Sequence, residues 1–189
     1  MINLIVALPA EAKPLNQYFG LKRIQPDGDY PIYRNDDIQL LLSGPGREQA
    51  ADACQSLIGS DTDYWLNIGI AGHPTATIGE LFQVNHVYNR STEKSWKLPC
   101  QHALSLPHSR LITVNEAITD YPENALYDME AAGIIDRLAE HGQLARTTVL
   151  KVVSDNVENT AKQINGPLVK LLINNHLNTI DKLLHAIRQ

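Results

Sequence analysis

The sequence predicts a single α/β domain around a mixed or mainly parallel sheet, and two observations indicate it. Short apolar runs alternate with helix-like stretches along the chain, which is the order expected of strands and helices in an α/β fold. The length of 189 residues is that of one ordinary domain, and no internal repeat divides the chain. We therefore expect one domain over residues 1–189.

Six apolar runs rich in Val, Ile and Leu are short enough to be buried strands. They are Ile2–Leu8, Ile38–Leu42, Tyr64–Ile70, Leu81–Tyr88, Leu111–Val114 and Thr147–Val153. Helix patterns lie between them, at Ala10–Phe19, Glu48–Ile58 and Glu130–His141. A closing helix is expected because apolar residues recur at spacings of four and three, at Ile173, Leu177, Ile180, Leu184 and Ile187.

Two stretches lack a regular pattern. Arg90–Arg110 holds Pro99 and Pro107 and few periodic apolar residues, so we expect a loop or short irregular structure there. A loop of this length is usually a lid, a binding loop or an interface segment. Tyr121–Ala125 is expected to be a turn.

Composition excludes several classes of protein. A net charge of −5 without a block of Lys or Arg argues against nucleic-acid binding through phosphates. No apolar run reaches the roughly 20 residues of a membrane span, and the N-terminal run lacks the basic region of a signal peptide. Cys54 and Cys100 form neither a disulfide framework nor a CxxC site. We therefore expect a cytoplasmic protein without nucleic-acid or membrane partners.

Polar residues and glycine-rich turns follow the predicted strands. Such positions lie at the edge where open α/β sheets bind ligands. The segments concerned are Pro9-Ala10-Glu11, Ser43-Gly44-Pro45-Gly46, Asn67–His73, Asp128-Met129-Glu130 and Ser154-Asp155-Asn156. The carboxylates of Glu11, Glu130 and Asp155 are therefore expected to converge on one edge.

Each of these residues also has a purely structural interpretation. Glu11 and Glu130 can simply favour helix N-termini, with Asp128 as an N-cap. Asp155 can cap a turn, and the glycines can supply positive φ angles or close packing. For His73, a structural histidine, solvent-facing or hydrogen-bonded, is the better interpretation.

Other catalytic and cofactor motifs do not match. The sequence has no GxSxG elbow, no GK[ST] ending of a P-loop and no full GxGxxG. Its seven histidines are scattered without HxxxH or HExxH. We therefore expect neither a cofactor nor a metal.

The sequence resembles the nucleoside phosphorylase and methylthioadenosine/adenosylhomocysteine nucleosidase superfamily. Five segments carry the resemblance in the family's order: Ala7–Glu11, Ser43–Gly46, Asn67–Gly72, Asp128–Ala132 and Val153–Asn156. Asp-Met-Glu-Ala followed about 25 residues later by Ser-Asp-Asn is the most specific part. The resemblance implies a three-layer α/β/α sandwich around a twisted mixed sheet, assembled as a homo-oligomer, most simply a homodimer.

The resemblance also implies roles for individual residues in cleaving an N-ribosidic bond. Asp155 would protonate the purine base with Ser154 orienting its carboxyl, Glu11 would activate water, and Glu130 would bind the ribose hydroxyls. The remaining substrate-binding positions are apolar residues and one glycine: Leu8, Pro45, Ile70, Gly72, Ile118 and Met129.

Hydrolysis is preferred to phosphorolysis. Phosphorylases place an Arg at the position of Asn67 and a Ser at that of Ile70, so both of the expected phosphate ligands are missing from this sequence. Arg47 is the nearest alternative basic residue. A third hypothesis is a non-catalytic nucleoside-binding protein of the same fold, because the chain is short between Tyr88 and Leu111. Ile118 stands where nucleosidases place a base-stacking Phe, so the base and the 5′ substituent stay open.

Overall fold

The computed structural model describes residues 1–24, 29–59, 63–100 and 105–188. The strands of this part of the chain are β1 (Ile2–Val6), β2 (Lys22–Arg23), β3 (Ile32–Arg34), β4 (Ile38–Leu42), β5 (Tyr64–Gly72), β6 (Leu81–Asn89), β7 (Ser95–Lys97), β8 (His108–Thr113), β9 (Leu126–Asp128) and β10 (Thr147–Asp155). Its α-helices are α1 (Pro9–Tyr18), α2 (Arg47–Leu57), α3 (Ala131–Glu140), α4 (Gly166–Asn174) and α5 (Leu177–Ile187). Each of the six predicted strands and three predicted internal helices is present, β4 with the predicted ends and the others with slightly different ends.

The sheet is mixed, and its parallel part positions the functional edge. Strand β1 pairs in parallel with β4 and β5, and β5 pairs in parallel with β10. Antiparallel neighbours extend this part on both sides, with β3 against β4 and β6 against β10. Because β1, β4, β5 and β10 run the same way, their carboxyl ends meet at one edge.

The sheet also closes on itself. Strand β10 pairs with both β5 and β6, β8 lies between β6 and β9, and β9 returns to the end of β5 through Gly72 and Tyr127. Strands β5, β6, β8, β9 and β10 therefore form a closed ring, which the predicted three-layer sandwich does not include. Register shifts at Val84/His86 and Val153/Asp155 add the local twist and bending that such closure needs.

Alternate residues of β1 face opposite sides of the sheet, and helices cover both sides there. Leu4 packs in one apolar cluster with Leu15 of α1 and Ile180 of α5. Its neighbour Ile5 packs in another cluster with Ile134 of α3. The two-residue alternation of a strand thus separates two cores on either side of β1.

The C-terminal segment is two helices, so the prediction of one closing helix was wrong. Helix α4 ends at Asn174 and α5 begins at Leu177. At the break, Nε2 of His176 lies 2.7 Å from the carbonyl oxygen of Gly79, a contact that links the junction to the loop between β5 and β6. The predicted apolar stripe is nevertheless in the core, since Ile173 and Ile180 are fully buried.

The two irregular stretches differ from each other. Arg90–Arg110 contains the short strand β7 and the start of β8, and its residues 101–104 lie outside the described part of the chain. Residues 114–125 form an irregular segment between β8 and β9, which includes the predicted turn. Among the described residues, no helix has the length and apolar character to cross a bilayer.

Candidate active site

A cavity of about 170 Å³ lies at the carboxyl ends of the parallel strands. All ten residues predicted for the site line it: Leu8, Glu11, Pro45, Ile70, Gly72, Ile118, Met129, Glu130, Ser154 and Asp155. Nine further residues complete the lining: Ala7, Ala71, Val114, Ala117, Tyr121, Tyr127, Asp128, Ala161 and Ile164. The structure therefore brings together residues that lie far apart in the sequence.

Glu11 is fixed by three backbone N–H groups. One oxygen accepts hydrogen bonds from Ala7 and Leu8 at 3.0 and 2.9 Å, and the other accepts from Ile70 of β5 at 2.9 Å. Burial raises the pKa of Glu11, while these N–H donors and the Lys151 ammonium oppose that shift. The carboxylate is thus anchored at the start of α1 and is a stronger base than an exposed glutamate.

Asp155 ends β10, where a bulge interrupts pairing with β5. The register shifts between Val153 and Asp155, and bulges of this kind re-aim side chains beside active sites. Oδ1 of Asp155 accepts a hydrogen bond from the Ser154 hydroxyl at 2.6 Å, and Oδ2 accepts one from the Tyr121 hydroxyl. The Ser154 hydroxyl therefore contacts the carboxyl that it is expected to orient.

Glu130 stands at the N-terminus of α3 and reaches the glycine turn after β4. Its Oε1 accepts the N–H of Gly46 at 2.8 Å. Burial, followed by the nearby Asp128 carboxylate, raises the pKa of Glu130 to about 7. The turn can present this N–H because Gly46 adopts a φ of 100°, which other residues rarely reach.

A buried lysine lies behind the cavity wall. Nζ of Lys151, in β10, is 2.9 Å from Oδ2 of Asp128, and both side chains are almost fully buried. Burial alone would lower the pKa of Lys151, but attraction to Asp128 and Glu130 outweighs it and the net shift is upward. The lysine therefore partly neutralises the carboxylates of Glu11, Asp128 and Glu130.

The same lysine and Glu11 share the space beside Gly69. A Cβ atom placed on Gly69 would stand 3.0 Å from Oε1 of Glu11 and 3.2 Å from Nζ of Lys151. Such distances are tighter than ordinary Cβ contacts, so a side chain at Gly69 would push against both charged groups. Glycine at this position allows the charged cluster to form directly against β5.

Three polar side chains of the cavity or its support lie outside the segments that the sequence indicated. Tyr121 lies in the irregular segment 114–125, where no periodic pattern points to a site. Tyr127 belongs to the three-residue strand β9, which is too short to give an alternation. Lys151 did carry a signal, because a lysine inside an otherwise apolar strand is buried only when it is paired.

The structural interpretations of several residues also hold. The N-cap of α3 is Glu130 rather than the expected Asp128, although Oδ2 of Asp128 accepts the N–H of Ala131 at 2.9 Å. Glu11 likewise accepts an N–H of its own helix start. Nδ1 of His73 accepts the N–H groups of Thr75 and Ala76, which makes it a hydrogen-bonded structural histidine. Capping therefore accounts for part of the pattern, but not for the two hydroxyls on Asp155.

The side chains considered as phosphate ligands lie elsewhere. Arg47 is not among the described residues that line the cavity; its Nη1 donates to Oδ1 of Asn89 at 3.3 Å. Asn67 is buried and donates to the carbonyl oxygen of Ile5 at 3.1 Å. In the described part of the chain, no group of three or more His, Cys, Asp or Glu is arranged to hold a metal ion.

Sequence comparison and structure comparison give different results for this chain. No protein-family model matches it, and no curated protein matches it either. Solved structures do match over nearly its whole length.

Three of these structures illustrate the similarity. A 5′-methylthioadenosine/S-adenosylhomocysteine nucleosidase from Helicobacter pylori, solved with butyl-thio-DADMe-Immucillin-A, has a TM-score of 0.81 at 14% identity and covers 98% of this chain and 97% of its own. The 5′-methylthioadenosine nucleosidase of Arabidopsis thaliana has a TM-score of 0.81 at 19% identity and covers 98% of this chain and 95% of its own. The futalosine hydrolase of Helicobacter pylori has a TM-score of 0.81 at 14% identity and covers 98% of this chain and 97% of its own. The chain therefore has the fold of these two nucleosidases and of the futalosine hydrolase, so the resemblance seen in its sequence is confirmed at the level of fold.

Proposed function

We propose that the protein is a nucleosidase that hydrolyses the N-ribosidic bond of a purine nucleoside or a related compound. The observation that carries the proposal is the convergence of Glu11, Glu130 and Asp155 on one cavity at the carboxyl ends of the parallel strands. The hydrolytic activity named for the three similar structures supports it. One fold can host many activities, so the proposed activity rests on the side chains of the cavity.

Asp155 is the proposed general acid. As the bond between C1′ and the base nitrogen breaks, its electron pair stays on the base, which then needs a proton. The Asp155 carboxyl would supply that proton, and the Ser154 hydroxyl on Oδ1 would hold the carboxyl in a fixed orientation.

Glu11 is proposed to activate the water that completes the reaction. The sugar left behind is an oxocarbenium-like cation, and a water oxygen must bond to its C1′ while losing a proton. Glu11 would accept this proton. Its three backbone N–H contacts fix its position, and its raised pKa suits a proton acceptor.

Glu130 is proposed to bind the ribose hydroxyls. An ionised carboxylate can accept hydrogen bonds from two neighbouring hydroxyls at once. The N–H of Gly46 holds one oxygen of Glu130 in place, and Met129 lies beside it in the cavity wall. Apolar residues around the site, among them Leu8, Pro45, Ile70 and Ile118, would pack against the sugar and the base.

Hydrolysis is favoured over phosphorolysis because the cavity wall is apolar where a phosphate would need ligands. Ile70 contributes a hydrocarbon side chain, and both Asn67 and Arg47 are engaged with other partners outside the cavity. A phosphate dianion would therefore lack an Arg ligand and the hydroxyl that a Ser at position 70 would provide.

The test is a base-release assay on a panel of purine nucleosides, with and without inorganic phosphate. We expect the wild-type protein to release free base and ribose at a rate that phosphate does not change. Formation of ribose 1-phosphate would instead identify a phosphorylase. Binding of nucleosides without turnover would identify a non-catalytic binding protein.

Assembly and location stay predictions from sequence. A homodimer in the cytoplasm is the expectation, and the C-terminal apolar stripe does not support it, because most of that stripe is in the core. Sedimentation or light scattering of the purified chain would give its oligomeric state directly.

A further inference from the structure

Tyr121 is a polar side chain of the cavity that the proposed reaction does not use. Its hydroxyl donates a hydrogen bond to Oδ2 of Asp155, while the Ser154 hydroxyl donates to Oδ1. Both oxygens of the proposed acid therefore carry a hydroxyl partner. A purine base has to approach one of these oxygens to receive a proton, and at each of them a hydroxyl already occupies part of the approach.

The Ser154 hydroxyl is the fixed partner. Ser154 is buried in β10 next to Asp155 in sequence, and its Oγ also lies 3.3 Å from the carbonyl oxygen of Ala71 in β5. This contact and the pairing of β10 with β5 hold it on both sides of the bulge. Rotating this hydroxyl away would break its contacts with both Asp155 and Ala71.

The Tyr121 hydroxyl is the replaceable partner. Tyr121 belongs to the irregular segment 114–125, in which most residues between 115 and 120 are exposed. Segments with few paired backbone groups open at a lower free energy than paired strands. The Tyr121 side chain is buried by lying against the backbone of Gly72 and against the Tyr127 ring, whose centroid is 5.2 Å away.

We propose that Tyr121 is a gating residue of the base subsite: its hydroxyl occupies the Asp155 oxygen that the nucleobase must reach, and substrate binding displaces it. The inference rests on the proposed function, because it takes Asp155 as the group that meets the base. Ile118 lies on the same segment and also lines the cavity. Displacing Tyr121 therefore also repositions an apolar wall that would contact the base.

The test compares nucleoside affinity in the wild type, Tyr121→Phe and a matched control, Tyr64→Phe. The control also loses a tyrosine hydrogen bond, the one between the Tyr64 and Thr148 hydroxyls at 2.9 Å, but outside the cavity lining. The probes are purine C-nucleosides, whose carbon–carbon glycosidic bond cannot be hydrolysed, measured by titration calorimetry. Melting temperatures of the three proteins are recorded in parallel.

We expect Tyr121→Phe to bind about tenfold more tightly than the wild type, because the base no longer competes with a hydrogen bond to a carboxylate. Its melting temperature should nevertheless fall. Tyr64→Phe should also melt lower, but with unchanged affinity. A merely structural role for Tyr121 would lower stability and affinity together, so tighter binding with lower stability is specific to gating.

Two other outcomes separate this inference from the proposed function. If the wild type binds a C-nucleoside and Tyr121→Phe binds it equally or more weakly, the gating role is overturned and the proposed function stands. If the wild type melts cooperatively and binds none of the C-nucleosides, the proposed function fails, and the gating role fails with it.

Discussion

Asp155 is the residue on which the proposed chemistry depends most. Asp155→Asn keeps the size of the side chain and can still pair with Ser154, but an amide cannot deliver the proton. We expect its turnover of a purine nucleoside to fall by about 10²–10⁴-fold, the usual contribution of a general acid. The measurement is steady-state release of free base, with exposed Asp36→Asn as the control. A rate near that of the wild type would contradict the assignment.

The raised pKa of Glu130 predicts that the stability of the protein depends on pH. Its pKa is about 7 in the folded protein and close to the ordinary 4.5 when unfolded. Between these values the folded state binds more protons, so this residue makes the free energy of unfolding fall as pH rises from about 4.5 to 7. The stability conferred by the protonated carboxyl is present below pH 4.5 and lost above pH 7.

The variant Glu130→Gln should remove this dependence. In urea unfolding, the free energy of unfolding of the wild type should fall between pH 5 and pH 8. In Glu130→Gln this fall should be smaller by on the order of 2 kcal/mol. Glu116→Gln, at an exposed glutamate, should follow the wild type at both pH values. Identical pH dependence in the wild type and Glu130→Gln would show that Glu130 does not titrate in this range.

At the scale of elements, the close approach of strand β5 to Tyr121 depends on Gly72. A Cβ atom at this position would overlap the Tyr121 hydroxyl and ring. We expect Gly72→Ala to lower the free energy of unfolding by about 1–3 kcal/mol, the usual cost of overpacking. Adding Tyr121→Ala should recover part of that loss in a double-mutant cycle.

The control for this strand contact is Gly166→Ala. At Gly166 the nearest atom to an added Cβ lies 4.0 Å away, and the backbone is not left-handed. Urea unfolding should therefore give a change within about 0.5 kcal/mol. Equal effects of Gly72→Ala and Gly166→Ala would contradict the proximity of Tyr121 to β5.

Strand β10 is linked to the start of α3 by the Lys151–Asp128 ion pair. Lys151→Met leaves the Asp128 charge buried without its ammonium partner, so we expect a loss of about 3–5 kcal/mol in the free energy of unfolding. The exposed pair of Lys94 and Asp136 provides a control, since Lys94→Met should cost at most about 1 kcal/mol. Similar losses in the two variants, measured by urea unfolding, would argue against a buried pair.

Long apolar strands and turn glycines made much of this arrangement predictable. Once Thr147–Val153 is recognised as a parallel strand, Ser154 and Asp155 must emerge at its carboxyl end beside Gly72. Short elements were not predictable in this way. Strands β7 and β9 have three residues each, too few to show an alternation. Strand β7 is held by its antiparallel pairing with β6, and β9 by pairing with β8 and with the distant β5.

At the scale of the whole molecule, the closed ring of strands shapes the cavity wall. The pairing of β9 with the end of β5 brings Tyr127 and the segment 114–125 against the parallel edge. The sequence could indicate the parallel edge of the sheet, because the site residues at that edge directly follow long apolar strands. It could not indicate Tyr121, because the position of an irregular segment depends on long-range pairing rather than on local pattern.

The central claim is that three carboxylates in one cavity each perform a different part of the cleavage of an N-ribosidic bond. The most direct test is a crystal structure of the protein with a bound purine C-nucleoside. We predict a base nitrogen within about 3.2 Å of the Asp155 carboxyl and the ribose hydroxyls within the same distance of Glu130. Glu11 should reach C1′ through one water molecule. A ligand bound outside this cavity, or bound in it without contacting Asp155 and Glu130, would contradict the claim.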